Sequence, residues 1–258
     1  MGEYYKMRKE LYLPILGIAV SELMVYYGRV YVGLGINIVN LQIITLLLIF
    51  GSLSPQTKNI LQSLLLLLLL RIVSLAMPPI FSSALLWYLL VYGVMFLPVY
   101  LIIKNQQIAS KELGVNFSRL HIYLPSALLI GAIAALIEYR IMAPASIIAN
   151  MGVLNVVLIV IVMLFFVGAV EELIFRSILQ TRLEEMLGLK YGLLLTAFIF
   201  GIMHASYGAI NEILLAGIFG IVVGYIFQRT RSLPLVVAIH GTANVLLFGI
   251  LPVVLALK

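Results

Sequence analysis

Apolar residues run along this chain in long blocks, broken by short polar clusters. Blocks of about 20 mostly apolar residues match the thickness of a bilayer core. They predict crossings near 11–27, 38–53, 60–79, 85–103, 122–142, 153–179, 191–206, 212–228 and 235–257. The first is interrupted by Glu22 and the second is short. Only helices or closed barrels satisfy their backbone in lipid, and these runs are too long and continuous for barrel strands. The expected fold is an all-α, polytopic transmembrane bundle of eight to nine helices with a cavity facing the cytoplasm. The longest polar connection, Lys104 to Arg119, divides the chain into N-terminal helices (1–120) and a C-terminal helical core (121–258).

Composition agrees with the pattern. The 258 residues are 64% hydrophobic and only 10% charged, far below the roughly 25% charged residues of soluble domains. Lys6, Arg8 and Lys9 ahead of Leu11 to Val20 have the outline of an export signal, with Ala19 and Ser21 as a cleavage-like site. The rest of the chain is equally apolar, so this stretch is read as a crossing. The net charge of +6 is scattered between apolar runs, which points to lipid headgroups rather than nucleic acid. With the N-terminus cytoplasmic, eleven basic residues from Lys6 to Arg231 fall on one side, against Arg29 and Lys258 on the other. That asymmetry satisfies the positive-inside rule.

Charges within the apolar blocks need compensation, since each costs roughly 2.5–3.5 kcal/mol at a helix centre on insertion scales. Glu171, Glu172 and Arg176 lie in one block, and Glu172 and Arg176 are spaced to pair on one helical face. Glu171 points about 100° away from Glu172 and is free for another partner. Two of the three histidines, His204 and His240, are also in apolar blocks, and Asn244 shares a helical face with His240. At 1.5 Å per residue, these groups reach depths of roughly 9–18 Å from the helix ends on the basic side. They are therefore expected to meet around one cavity in the cytoplasmic half of the bilayer or near its middle.

A carboxylate and a neutral imidazole can hold and deprotonate a water, while an imidazole and a carboxamide can donate to an oxyanion. Together these are the parts for amide hydrolysis without a covalent intermediate. The inventory excludes several alternatives. There is no cysteine and no aspartate, so thiol nucleophiles, aspartyl dyads and Ser-His-Asp triads are absent, as are GxSxG and HExxH motifs. A zinc site built from Glu171, His204 and His240 remains open, because all three are acceptable ligands. So does a proton-coupled transporter using Glu and His as a relay, whose sign would be polar groups continuing to the far side. A non-catalytic membrane scaffold is the third reading.

The stretches EELIFR (Glu171–Arg176), FGIMH (Phe200–His204) and HGTAN (His240–Asn244) resemble the EExxxR, FxxxH and HxxxN motifs of the CAAX protease and bacteriocin-processing family. That family includes the type II CAAX prenyl endopeptidases. The resemblance covers roughly residues 121–258. It implies a glutamate-type intramembrane endopeptidase with no cofactor, acting on a prenylated protein or peptide near its C-terminus. By the same resemblance Glu171 is the general base and His204 its partner on the water. His240 and Asn244 form the oxyanion hole, and Glu172, Arg176 and Phe200 support them. A glycine commonly follows the motif arginine, where this chain has Ser177.

Other polar residues are read as structural. Glu22 and Arg71 fall near mid-depth and are expected to pair. Glu138 and Arg140 are expected to snorkel at an outer helix end, and His121 to be solvated. Glu184 and Glu185 are expected on a short amphipathic surface helix. Gly217, Gly220 and Gly224 are expected to allow close helix packing.

Overall fold

The computed structural model describes residues 7–77 and 84–256, and every regular element among them is helical. The helices are α1 (Tyr12–Tyr26), α2 (Val30–Phe50), α3 (Pro55–Ala76), α4 (Ala84–Asn105), α5 (Leu120–Met142), α6 (153–180), α7 (Thr181–Ile202), α8 (Ile210–Thr230) and α9 (233–256). Each expected crossing corresponds to one of them. Lys6, Lys258 and the predicted crossing ends at 78–79 and 257 lie outside the described residues.

Seven stretches are long and apolar enough to cross a membrane, so this is an integral, multi-pass membrane protein. The difference from nine has two causes. At 15 residues α1 is shorter than a bilayer core requires. The run 153–207 counts once because α6 passes into α7 without a loop. That run changes direction at Gly188, whose φ of 77° and ψ of 163° are non-helical. A side chain at this φ would be strained, so the turn needs glycine.

Lipid takes the place of water around the bundle. Val153 (81% exposed), Phe198 and Ile218 (59%) show the outward apolar surface that membrane helices present. Inside, Leu61 and Leu64 of α3 and Val91 and Met95 of α4 pack with Val170, Ile174 and Phe175 of α6. One apolar cluster thus joins N-terminal and C-terminal helices.

The basic helix ends are tied by a polar belt. Arg182 donates to Glu112 and Glu185, each at 2.7 Å, and Arg231 donates to Glu184 at 2.9 Å. Residues 181–187 are therefore drawn into the protein, with Arg182 and Glu184 buried. This corrects the expected surface helix. The three glycines of α8 act as expected. Gly217 lies against Gly201, Gly220 against Ala197, and Gly224 against Gln180 and Leu193.

Candidate active site

Helix α6 brings the two motif glutamates inward. Ala169–Glu172 is a short α-helical stretch between wide π turns at Ile161–Gly168 and Leu173–Gln180. Such turns are rare and recur at functional sites, because the extra residue re-aims the side chains that follow. Ser177 has a clear task in place of the usual glycine: its hydroxyl donates to the Leu113 carbonyl at 2.6 Å, anchoring α6 to the loop after α4.

Glu172 and Arg176 are both 0% exposed. Arg176 Nε lies 3.0 Å from Glu172 Oε2. The guanidinium also stacks over Phe200, 4.8 Å from its centroid, and over Phe175 at 5.9 Å. Cation–π attraction strengthens when the charge is desolvated, and here it stands in for hydrogen bonds from Nε, Nη1 and Nη2, none of which has a hydrogen-bonding side-chain or backbone partner.

The other Glu172 oxygen, Oε1, meets His240 Nδ1 at 2.7 Å. Glu171, 9% exposed, has Oε1 accepting from Tyr92 at 2.5 Å, while its Oε2 faces His240 Nε2 at 3.7 Å. That second separation exceeds a hydrogen bond. The two carboxylates therefore bracket the His240 ring, one on each nitrogen.

Close approach of α6 and α9 makes this possible. A Cβ on Gly241 would fall 2.9 Å from Leu164 Cα and 2.3 Å from Leu164 Cδ1. Gly241→Ala is expected to force the helices apart, with a stability loss of about 1–3 kcal/mol from overpacking. Turnover should fall further than stability, as the Glu172–His240 bond stretches. Thermal unfolding and kcat measured on the same preparation check this.

His204 lies in the turn two residues past the end of α7. Its Nδ1 lies 2.9 Å from the Phe200 carbonyl. A carbonyl only accepts, so Nδ1 carries the hydrogen and Nε2 keeps its lone pair. The Phe200 ring separates the two imidazoles, at 4.8 Å from His204 and 5.9 Å from His240.

The four expected residues come together across two adjoining cavities. One holds Glu171 and His204 with Arg71, Tyr88, Tyr92 and Tyr207. The other holds His204, His240 and Asn244 among apolar walls. His204 lines both.

Several participants were not visible in the sequence. Tyr92 comes from α4, 79 residues from its Glu171 partner. Tyr88 and Tyr207 line the same cavity beside it. Glu22 and Arg71 do pair, with two contacts of 2.6 Å. Arg71 also donates to the Met203 carbonyl, so the pair fixes the residue next to His204. Glu138 does not snorkel. It lines the second cavity together with Glu212.

Depth along the helices can be compared for each group. Measured from the basic helix ends, His240, Glu171 and Asn244 lie roughly 10–17 Å along their helices, His204 about 22 Å, and Arg71 and Glu138 roughly 24–27 Å. The cavities extend from the site away from the basic ends.

Among the described residues, no three His or Glu side chains are arranged to hold a metal ion. The zinc reading of Glu171, His204 and His240 thus finds no ready ligand set. The nitrogens left open are His204 Nε2 and His240 Nε2.

A membrane-embedded bundle that brackets an imidazole with two carboxylates defines the class of protein. Residues 153–246 match the family described as Type II CAAX prenyl endopeptidase Rce1-like. The match includes all three motifs, and it bears out the resemblance over that stretch. No curated protein and no solved structure matches the chain.

Proposed function

We propose that the protein is an intramembrane endopeptidase that hydrolyses a peptide bond near the C-terminus of a prenylated substrate, using water activated by Glu171. The observation that carries this reading is the arrangement around His240, with Glu172 on Nδ1 and Glu171 facing Nε2 at 3.7 Å.

In this mechanism Glu171 takes a proton from water, which His204 orients by accepting a hydrogen bond at Nε2. The water oxygen attacks the scissile carbonyl carbon. His240 Nε2–H and the Asn244 amide donate to the oxyanion. Collapse breaks the C–N bond, and the proton held by Glu171 passes to the leaving amine. For Nε2 to carry a hydrogen while Nδ1 faces Glu172, the Glu172–His240 pair must hold two protons in total.

Purified protein is expected to cleave a farnesylated CAAX peptide, to cleave its unprenylated counterpart poorly, and to keep its activity after EDTA treatment. Loss of activity restored by zinc would replace the water-activating glutamate with a metal. No cleavage of either peptide would remove the peptidase reading.

One observation favours the transporter as a second reading. Polar groups continue past Glu171 through Tyr88, Tyr207, Glu138 and Glu212. Proton flux into proteoliposomes that depends on Glu171, without peptide cleavage, would support it.

The side of entry is open to a direct test. The positive-inside bias puts the basic belt in the cytoplasm, whereas the expected cytoplasmic opening requires the cavities to face the same way as the belt. The absence of cysteine makes single-cysteine labelling clean. Lys111→Cys in the belt and Ser206→Cys at the first cavity are expected to label from opposite membrane faces. Labelling from one face would support the cytoplasmic opening.

A further inference from the structure

Helix α4 lies outside the residues 153–246 that match the family, yet it reaches the motif glutamate Glu171. Val91 and Met95, on either side of Tyr92 along α4, are buried in one cluster with Val170 and Ile174 of α6. Phe96 meets Phe166 of α6 edge to face, with ring centroids 5.9 Å apart. This packing brings Tyr92 to Glu171. The Tyr92 ring stacks on Tyr88 at 6.2 Å, and its hydroxyl donates to Glu171 Oε1 at 2.5 Å. The donor is thus carried on a ring whose place is set by helix packing rather than by the hydrogen bond itself.

The two oxygens of a carboxylate are equivalent until something tells them apart. A half-turn about the Cγ–Cδ bond of Glu171 would exchange them. Tyr92 removes that freedom by holding Oε1, and a hydroxyl on an ionised carboxylate makes one of the stronger hydrogen bonds. Oε2 accepts no hydrogen bond among the described residues and faces His240 Nε2 at 3.7 Å. Glu171 also lines the first cavity. Its second oxygen therefore keeps its lone pairs, on the side where the oxyanion donor stands.

We propose that Tyr92 is a positioning residue that fixes the Glu171 carboxylate and assigns Oε2 as the oxygen that takes the proton from water. This deepens the peptidase reading and rests on it. Tyr92 touches no reacting atom and acts through Glu171 alone. The N-terminal helices then supply part of the catalytic geometry, besides their share of the apolar core.

In the full-length protein, Tyr92→Phe keeps the ring and its stack on Tyr88 but deletes the hydroxyl. It is expected to lower kcat for a farnesylated CAAX peptide by about tenfold to a hundredfold, the cost of a base misplaced by roughly 1 Å, with KM within about twofold. Unchanged kcat would overturn the positioning role and leave the peptidase reading intact.

Two further measurements separate positioning from mere support of the fold. Replacing Tyr92 with para-aminophenylalanine returns a donor to the same place and should recover most of the lost kcat. No recovery in a protein of unchanged melting temperature would overturn the proposal. In the Glu171→Gln background, Tyr92→Phe should change the residual kcat by less than about threefold, because the group it positions no longer takes a proton. A further loss of about tenfold or more would show that the hydroxyl acts through another group. No cleavage by the wild-type protein would remove the peptidase reading, and the positioning role with it.

Discussion

Glu171→Gln is expected to lower kcat for a farnesylated CAAX peptide by about 10²–10⁴, the range that general-base catalysis supplies. Glutamine keeps the shape and can still accept the Tyr92 hydroxyl hydrogen bond at the Oε1 position. It cannot take a proton from water. The loss should therefore appear in kcat with little change in KM or melting temperature, because the side chain acts on the water rather than on substrate affinity. His204→Ala should produce a similar fall for a different reason. It removes the only acceptor nitrogen the Phe200 carbonyl leaves free on that ring. Full activity in either variant would mean that the proton leaves the water by another route.

The motif residues were legible because charge and imidazole are scarce in an apolar chain. Glu172 and Arg176 share a helical face by spacing alone, and so do His240 and Asn244. Depth along a helix also paired Glu22 with Arg71 correctly, since both are costly groups at similar levels. Spacing says nothing, however, about which neighbouring helix a side chain meets. Tyr92 and Tyr88 read as ordinary aromatics of an apolar block until α4 is placed beside α6. Glu138 stands near an outer helix end, where snorkelling is the default. It turns inward instead, lining the second cavity with Glu212 of α8.

The same limit explains the misread segment 181–187. Its charges alternate as on a surface helix, but their partners Glu112 and Arg231 come from loops 70 residues earlier and 47 residues later. Helix direction was also invisible. Only the reversal at Gly188 shows that α7 starts earlier than expected, which carries His204 deeper than its sequence position suggested.

Glu172 is expected to give the second large effect, and its two variants should differ. In Glu172→Ala, Arg176 is left as an uncompensated charge with 0% exposure. Breaking a buried pair in this way costs about 3–5 kcal/mol. His240 loses its Nδ1 partner at the same time, and kcat should fall by about 10²–10³, as for removal of an oxyanion donor.

Glutamine behaves differently at the same position. Its carbonyl can face Arg176 Nε and its amide can donate to His240 Nδ1, which leaves hydrogen on Nε2. The oxyanion donor survives but becomes a neutral imidazole. Charge-assisted bonds exceed neutral ones by roughly 1.4 kcal/mol, so Glu172→Gln should lose only about tenfold in kcat. Most of the melting temperature lost in the alanine variant should return. The comparison also tests the order of the two adjacent carboxylates. If Glu172→Gln is as inactive as Glu171→Gln is expected to be, and Glu171→Gln instead loses only tenfold, the roles exchange. Glu172 would then be the base, and the place of Glu171 beside His240 Nε2 would no longer mark the carboxylate that takes the proton.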